Sequence, residues 1–223
     1  MNHGSMGHRP PADTAALFTQ EFWDARYGAT DRVWSGNPNP RLVEQVAELT
    51  PGTALDVGCG EGADAIWLAA RGWQMTAIDI SPVALERAAD QATAAGEQIA
   101  ARITWQQADV LVWEPTQRQF DLVSAQYLHP PPPERDAVYR RLAAAVRPGG
   151  ALLIVGHHPL DLQAPTGRER FPELLFTADE IAAVLDPTAW QILVAAAPPR
   201  PATNPEGQPV TVHDAVLLAR RRG

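Results

Sequence analysis

Short apolar runs alternate with helix-like stretches through the middle of the chain. Apolar runs bounded by turn residues predict five strands, at residues 54–57, 74–80, 102–106, 120–125 and 151–156. Apolar positions at helical spacing predict three helices between them, at residues 63–71, 81–96 and 134–146. Strands that alternate with helices form parallel sheets through right-handed crossovers. The pattern therefore predicts an α/β fold with a doubly wound, mostly parallel sheet.

The end of the chain departs from this alternation. A helix is predicted over residues 177–185, where Thr177 and Glu180 have the spacing of a capping box. Two strands follow, at residues 190–197 and 210–219, and the proline-rich segment 198–209 joins them without a helix. Strands joined in this way pair antiparallel. We therefore expect an antiparallel hairpin at one edge of the sheet.

The first fifty residues carry two helical patterns after a stretch without periodicity. Residues 1–12 are interpreted as a disordered tail or a cloning remnant. Asp13 or Thr14 is the expected cap of a helix that carries apolar residues at positions 17, 18, 22 and 23. A loop over residues 26–40 and a second helix over 41–49 should follow. We predict one domain, residues 13–223, with an N-terminal helical lid at residues 13–50.

Composition narrows the possible functions. All 18 basic residues are arginine, which excludes a Schiff-base lysine and a lysine-dependent phosphate loop. The net charge of −8, without a basic stripe, argues against a nucleic-acid partner. Cys59 is the only cysteine, no apolar run is long enough to span a membrane, and no signal peptide is visible. A cytoplasmic protein is expected.

The candidate chemistry lies in a glycine-rich turn that follows the first predicted strand. Gly58, Gly60 and Gly62 stand between strand and helix, where backbone can approach a ligand closely. Asp56 precedes the turn, and Asp79 ends the next strand, about 20 residues after the first glycine, as expected for an acid that binds ribose hydroxyls. The arrangement predicts a nucleoside ligand.

Charge separates the candidate nucleosides. A dinucleotide pyrophosphate is anionic, so Asp56 and Glu61 would flank it unfavourably. S-adenosylmethionine carries an ammonium and a sulfonium group, which carboxylates stabilise. The glycine spacing is G-x-G-x-G, with alanine at position 63, whereas dinucleotide sites use G-x-G-x-x-G. An NAD-dependent oxidoreductase stays open as an alternative.

These motifs resemble those of the class I S-adenosylmethionine-dependent methyltransferases. Residues 55–62 match the first motif of that family, 77–81 the second and 107–110 the third, while 120–124 and 147–150 resemble elements around its fourth and fifth strands. The resemblance implies a seven-stranded sheet whose last strand is antiparallel, with S-adenosylmethionine as cofactor. It implies that the cofactor is bound by Asp56, Gly58, Cys59, Gly60, Gly62, Asp79, Ile80, Ala108, Asp109, Val110 and Ser124.

Within that family, residues 22–27 and 33–34 look like the lid of small-molecule enzymes, loosely similar to tellurite-resistance and thiopurine methyltransferases. Tyr27 and Trp34 are therefore expected to cover the cofactor. The alternative for Trp34 is a hydrophobic seam shared with Phe22 and Trp23. Other roles also remain open, because Asp56 or Asp109 can cap a following turn. Cys59 is expected to pack rather than to react.

The acceptor side is less defined. Methyl transfer from a sulfonium is an in-line displacement, so the protein mainly aligns the reactants and excludes water. His129 and His157 follow the fourth and fifth strands and are the candidate bases, with ordinary loop roles as the alternative. No metal is expected. The predicted function is methyl transfer to oxygen, nitrogen or sulfur of a small molecule; a non-catalytic sensor that binds the same nucleoside is the alternative.

Overall fold

The computed structural model describes residues 14–163, 165–166 and 168–223. The expectation for residues 1–12 and the possible cap Asp13 lie outside the described residues. The α-helices are α1 (Gln20–Gly28), α2 (Pro40–Val46), α3 (Ala63–Ala70), α4 (Pro82–Ala95), α5 (Glu97–Ala100), α6 (Pro132–Ala145) and α7 (Ala178–Ala182). Short 3₁₀ helices occur at Thr14–Phe18, Pro159–Gln163, Arg168–Arg170 and Pro172–Leu174. No helix within these described ranges is long and apolar enough to cross a membrane.

The strands form one mixed sheet. They are β1 (Thr53–Val57), β2 (Gln74–Asp79), β3 (Ile103–Gln107), β4 (Phe120–Gln126), β5 (Val146–His157), β6 (Trp190–Ala196), β7 (Pro199–Thr203) and β8 (Pro209–Arg221). Seven of them follow the order β3-β2-β1-β4-β5-β8-β6, with β1 to β5 parallel and β8 antiparallel to both neighbours. The predicted α/β class, doubly wound sheet and antiparallel last strand are confirmed. The strand order reverses between β1 and β4, where such sheets open a ligand crevice.

Both faces of the sheet are buried, as expected for central parallel strands. Leu55 contributes to the core that α6 and α7 cover, whereas its neighbour Ala54 contributes to the core covered by α2, α3 and α4. Successive side chains of a strand point to opposite faces, so a continuous apolar run fills both cores. This packing fixes the carboxyl ends of the central strands that carry the candidate site.

The N-terminal helix starts later than predicted. Residues 14–18 form a 3₁₀ helix, and α1 begins after Thr19, whose side chain accepts a hydrogen bond of 3.3 Å from the amide of Phe22. The expected cap at Thr14 is therefore wrong, because Thr19 satisfies the amide of the first helical turn. The helix also continues to Gly28, through the beginning of the predicted loop.

The start of β5 also differs from the prediction. Helix α6 ends at Ala145 and β5 begins at once with Val146, which pairs with Phe120 of β4. The predicted strand begins only at residue 151, but residues 147–150 also belong to β5. A Cβ at Gly150 would lie 2.9 Å from the carbonyl oxygen of Asp121, so this early pairing requires glycine.

The proline-rich connection contains an additional strand. Residues 199–203 form β7, which pairs antiparallel with the first half of β8, and Arg200 lies opposite Val212. Residues 198–209 contain no helix, as predicted, but β7 was not predicted. Proline cannot donate to a ladder, but Pro199 and Pro201 are tolerated because β7 is an edge strand. The two predicted terminal strands do pair antiparallel, as β6 and β8.

Candidate functional site

The glycine turn between β1 and α3 is fixed by hydrogen bonds to the end of β2. The amides of Gly58 and Cys59 both donate to the carbonyl of Ile78, at 2.9 and 3.0 Å. The amide of Gly60 donates to a carboxylate oxygen of Asp79 at 2.8 Å. Gly58 and Gly60 have φ values of +70° and +53°, a conformation that favours glycine. These bonds fix the conformation of the turn, and its residues line one cavity.

This cavity has a volume of about 900 Å³ and lies at the carboxyl ends of the central strands. It is large enough for a nucleoside together with a small second molecule. Most sequence-predicted site residues line it, namely Tyr27, Trp34, Asp56, Gly58, Cys59, Gly60, Asp79, Ile80, Ala108, Asp109, Val110, His129 and His157. The structure therefore brings both the expected cofactor residues and the expected bases to one place.

Two predicted cofactor residues do not line the cavity. A Cβ at Gly62 would lie 2.7 Å from the ring of Trp105 and 2.8 Å from the Cβ of Ala88, so this glycine serves helix packing. Ser124 is buried, and its hydroxyl accepts a hydrogen bond of 2.7 Å from the side-chain amide of Gln126. Gln126 lines the cavity in its place.

Three carboxyl groups crowd the floor of the cavity. Asp56 is 2% exposed, and its buried Oδ2 has no hydrogen-bond partner among the described residues. Burial, together with the charges of Asp64 and Asp79, raises the pKa of Asp56 well above its ordinary value. Burial also raises the pKa of Asp64 to about 6. A cationic ligand would relieve this repulsion, and a diphosphate would increase it.

Asp79 is itself constrained by the main chain. Its two carboxylate oxygens accept hydrogen bonds from the amides of Gly60 and Ser81. Burial raises the pKa of Asp79, and these bonds oppose the rise. The carboxylate is thus preorganised at the end of β2, where it lines the cavity and can accept further hydrogen bonds.

Glu61 has a different role from the neighbouring acids. Its carboxylate accepts hydrogen bonds from the amides of Val33 and Trp34, at 3.1 and 3.0 Å, and pairs with Arg87 at 3.1 Å. Arg87 therefore compensates the negative charge of Glu61, which the sequence predicts to lie next to the ligand. Glu61 instead ties the N-terminal segment to the glycine turn.

Two aromatic residues of that segment lie against the turn. The hydroxyl of Tyr27 accepts a hydrogen bond of 3.0 Å from Nε1 of Trp34, and both atoms lie near Gly60. The ring of Trp23 lies 5.9 Å from the ring of Tyr27 and 6.4 Å from that of Trp34, between centroids. The geometry accommodates both interpretations of Trp34, because its ring lines the cavity and also joins an aromatic cluster.

Asp109 and Cys59 line the cavity, and their surroundings show what each side chain can do. A carboxylate oxygen of Asp109 accepts a hydrogen bond of 2.9 Å from the amide of Leu111, so this acid caps a turn while it lines the cavity. Burial raises the pKa of the Cys59 thiol well above its ordinary value. A thiol in that environment stays protonated and is a poor nucleophile.

The two histidines have unequal hydrogen bonding. Nε2 of His129 accepts a hydrogen bond of 2.9 Å from the amide of His157, and burial lowers the pKa of His129 to about 3. His157 stacks on His129 with ring centroids 4.7 Å apart, and its buried Nδ1 has no partner among the described residues. Burial, followed by the neighbouring charges, lowers the pKa of His157. Both rings are neutral at physiological pH.

Several cavity residues were missed by the sequence analysis, notably Asp64, Gln126 and Arg200. Asp64 had a usable signal, since it lies in the first turn of α3 directly after the glycines. Arg200 had none, because the pairing of β7 alone brings it to the cavity. No group of three potential metal ligands occurs in the part of the chain that the structure describes.

Comparison with known proteins agrees with this geometry. Residues 54–150 match a family described as a methyltransferase domain. A ubiquinone biosynthesis O-methyltransferase of Xanthomonas axonopodis pv. citri is 32% identical over 149 residues, which cover 66% of this chain and 60% of that protein. The 27-O-demethylrifamycin SV methyltransferase of Amycolatopsis mediterranei is 34% identical over 159 residues, covering 67% and 56%. The chain thus spans about 60% of the length of the curated relatives it matches.

Solved structures extend the likeness to most of the chain. A protein studied for the conversion of a disulfide bond into a thioacetal group during echinomycin biosynthesis has a TM-score of 0.70 and 25% identity, with 91% of both chains covered. A SAM-dependent methyltransferase from Anabaena variabilis has a TM-score of 0.66 and covers 96% of this chain and 98% of its own; at 17% identity it supports the fold alone. Taken with the acid-flanked glycine turn, these matches show that residues 54–150 form a methyltransferase domain and that the chain has the fold of the class I S-adenosylmethionine-dependent methyltransferases.

Proposed function

We propose that this protein transfers a methyl group from S-adenosylmethionine to an acidic hydroxyl of a small-molecule acceptor. The observation that carries the proposal is that Asp56 and His157 line one cavity, and that each has a buried polar atom, Oδ2 and Nδ1, without a hydrogen-bond partner among the residues that the structure describes. Buried polar atoms are normally hydrogen-bonded, so each atom indicates a place where a ligand completes the structure. One is a carboxylate oxygen that suits a cation, and the other is a neutral imidazole nitrogen.

The acidic part of the cavity suits the cofactor. Following the family resemblance, Asp79 would hold the ribose hydroxyls and Asp109 the adenine amino group, while Asp56 compensates the positive charge. When bound, the cofactor supplies a sulfonium-activated methyl group. Tyr27 and Trp34 would cover it, so that the N-terminal segment, residues 13–50, serves as the lid of a single domain. Water exclusion by such a lid favours the displacement.

The histidine part of the cavity suits the acceptor. The main-chain amide of His157 occupies Nε2 of His129, so we assign His129 a positioning role. Nδ1 of His157 is then the atom that accepts a hydrogen bond from the acceptor. An imidazole with a lowered pKa is a weak base, and it therefore orients an acceptor that ionises easily rather than removing a tightly held proton. Phenols fit this requirement, and the names of the two curated relatives favour oxygen over sulfur or nitrogen.

A panel of acceptors tests the proposal. Purified protein is incubated with S-adenosylmethionine and matched phenols, aryl thiols and N-heterocycles, and methylated products are identified by mass spectrometry. We expect O-methylated phenols. Methylation confined to thiols or heterocycles would contradict the choice of oxygen. Cofactor binding without any product would favour the non-catalytic sensor.

A further inference from the structure

Arg200 reaches the cavity from β7, the strand outside the seven-stranded order. Its Nε donates to both carboxylate oxygens of Asp214, at 3.1 and 3.0 Å, and its Nη2 lies 3.4 Å from the hydroxyl of Tyr127. Nη1 makes no hydrogen bond to any residue that the structure describes. One edge of the guanidinium is therefore anchored, while donors on the remaining part are available at the cavity wall.

The anchoring carboxylate is already shared. Asp214 is fully buried and also accepts hydrogen bonds from Nε of Arg41, at 3.1 Å, and from the hydroxyl of Tyr127, at 3.0 Å. Arg41 has a second partner in Glu44, which is half exposed on the surface. Two guanidinium groups thus share the buried carboxylate, while the second carboxylate, Glu44, pairs with Arg41 alone among the described residues. Arg200 therefore presents guanidinium donors at the cavity wall, and an anionic ligand would accept hydrogen bonds from them.

Arg200 lies on the same side of the cavity as the proposed acceptor site. Its Cζ is 5.9 Å from the centre of the Tyr127 ring, and the His157 ring is 4.7 Å from that same ring. The acids Asp56, Asp64 and Asp79 surround the glycine turn instead. Among the described arginines, Arg26 also lines the cavity, but it lies over the rings of Trp23 and Trp34 in the N-terminal segment. Arg168 is paired with Asp161. The cavity therefore has carboxylates around the glycine turn and guanidinium donors beside Tyr127.

We propose that Arg200 binds a carboxylate of the methyl acceptor, which makes the substrate class small phenolic acids. This inference rests on the proposed function and adds the charge of the acceptor to it. A guanidinium binds a carboxylate through charge-assisted hydrogen bonds. Leu128 and Leu174 also line the cavity and would contact the apolar body of the acceptor.

Binding to the unaltered protein tests the inference without any variant. Calorimetric titrations, with S-adenosylhomocysteine present to prevent turnover, compare 4-hydroxybenzoate with 4-hydroxybenzamide and 3,4-dihydroxybenzoate with its amide. We expect each acid to bind at least about tenfold more tightly than its amide. Equal binding within the pairs, tighter binding of the amides, or no measurable binding of either acid would overturn the inference.

Arginine variants locate the effect. Arg200→Gln should abolish the preference for acids, and Arg200→Lys should retain part of it, with the affinity for the cofactor unchanged in both. Arg140→Gln is the matched control, because Arg140 pairs with Asp136 on the surface of α6. A preference that survives in Arg200→Gln, or a loss that is equal for acid and amide, would make Arg200 a purely structural anchor of β7.

Thermal melting identifies any variant that fails to fold, and the comparison on the unaltered protein then decides. The two proposals fail in different ways. Methylation of neutral phenols without a preference for acids would refute the role of Arg200 and retain the methyltransferase. Tight binding of acids without any methylated product would support the role of Arg200 and refute the proposed methyl transfer.

Discussion

The amide of Gly60 donates a 2.8 Å hydrogen bond to the carboxylate of Asp79. This bond joins the glycine turn to the end of β2, so the two sequence motifs that predict the cofactor form one rigid unit. Preorganised groups lose little freedom when a ligand binds. The nearby acids, in contrast, are held in a strained electrostatic arrangement. The rigid turn and the repulsion among Asp56, Asp64 and Asp79 lead to the first two predictions.

Asp56→Asn should stabilise the cofactor-free protein and weaken cofactor binding. The substitution removes one of three crowded charges but keeps the size of the side chain. We expect the melting temperature to rise by about 2–6 °C, which corresponds to roughly 1–2 kcal/mol for a chain of this length. The dissociation constant for S-adenosylmethionine should rise about tenfold or more. Asp136→Asn, on the surface of α6, is the control, and a lower melting temperature for Asp56→Asn would refute this account of the acids.

Cofactor affinity should depend on pH through Asp64. Burial raises the pKa of Asp64 from 3.8 to about 6, so the folded protein binds a proton more tightly than the unfolded chain between these values. The stability of the cofactor-free protein therefore falls as pH rises through that window. The ionised form is the one that attracts a cation, so affinity should fall about 3–10-fold between pH 7 and pH 5.

Titrations of the unaltered protein and of Asp64→Asn check this pH dependence. The variant should bind more weakly at pH 7 and change less with pH. If the affinity for S-adenosylmethionine changes equally with pH in both proteins, a group other than Asp64 causes the pH dependence.

His157→Gln should lower turnover with little change in cofactor affinity. We expect a loss of about 10–100-fold in kcat at saturating cofactor, because the acceptor loses its hydrogen-bond partner. Since the pKa of His157 is lowered, the pH profile of kcat for the unaltered enzyme should show no inflection near pH 6.5 and should follow the ionisation of the acceptor. His158→Gln is a matched control, because that neighbouring side chain does not line the cavity. A histidine-like limb near pH 6.5 would contradict the assignment.

Gly62→Ala should destabilise the fold. A Cβ there would meet the Trp105 ring at 2.7 Å, and φ is +83°. We expect a loss of about 2–4 kcal/mol in the free energy of unfolding, measured by denaturant titration. Gly28→Ala is the control, because nothing lies within 4 Å of its added Cβ, and it should change stability by less than about 1 kcal/mol. If Gly62→Ala loses as little stability as Gly28→Ala, the Trp105 ring moves aside at little cost and Gly62 is not required for packing.

The sequence predicts those parts of the site whose residues lie close together along the chain. The glycine turn, Asp56 and Asp79 lie on consecutive elements whose order and direction follow from the alternation of strand and helix. The Thr19 cap was missed because Asp13, Thr14 and Thr19 offer equivalent side chains, and tertiary contacts select among them. Glu61 looked like a free acid because Arg87 approaches from another helix. Arg200 reaches the cavity through pairing with β8, which no local pattern encodes.

Calorimetric titration shows whether the acid-flanked glycine turn binds a cationic adenosyl donor. We predict that one S-adenosylmethionine binds per chain, that Asp79→Ala weakens binding at least about 30-fold, and that NADH gives no saturable heat. Asp79→Asn, with thermal melting, controls for loss of the bond to Gly60. Saturable NADH binding without S-adenosylmethionine binding, or an unchanged affinity in both Asp79 variants, would contradict cofactor binding at this turn.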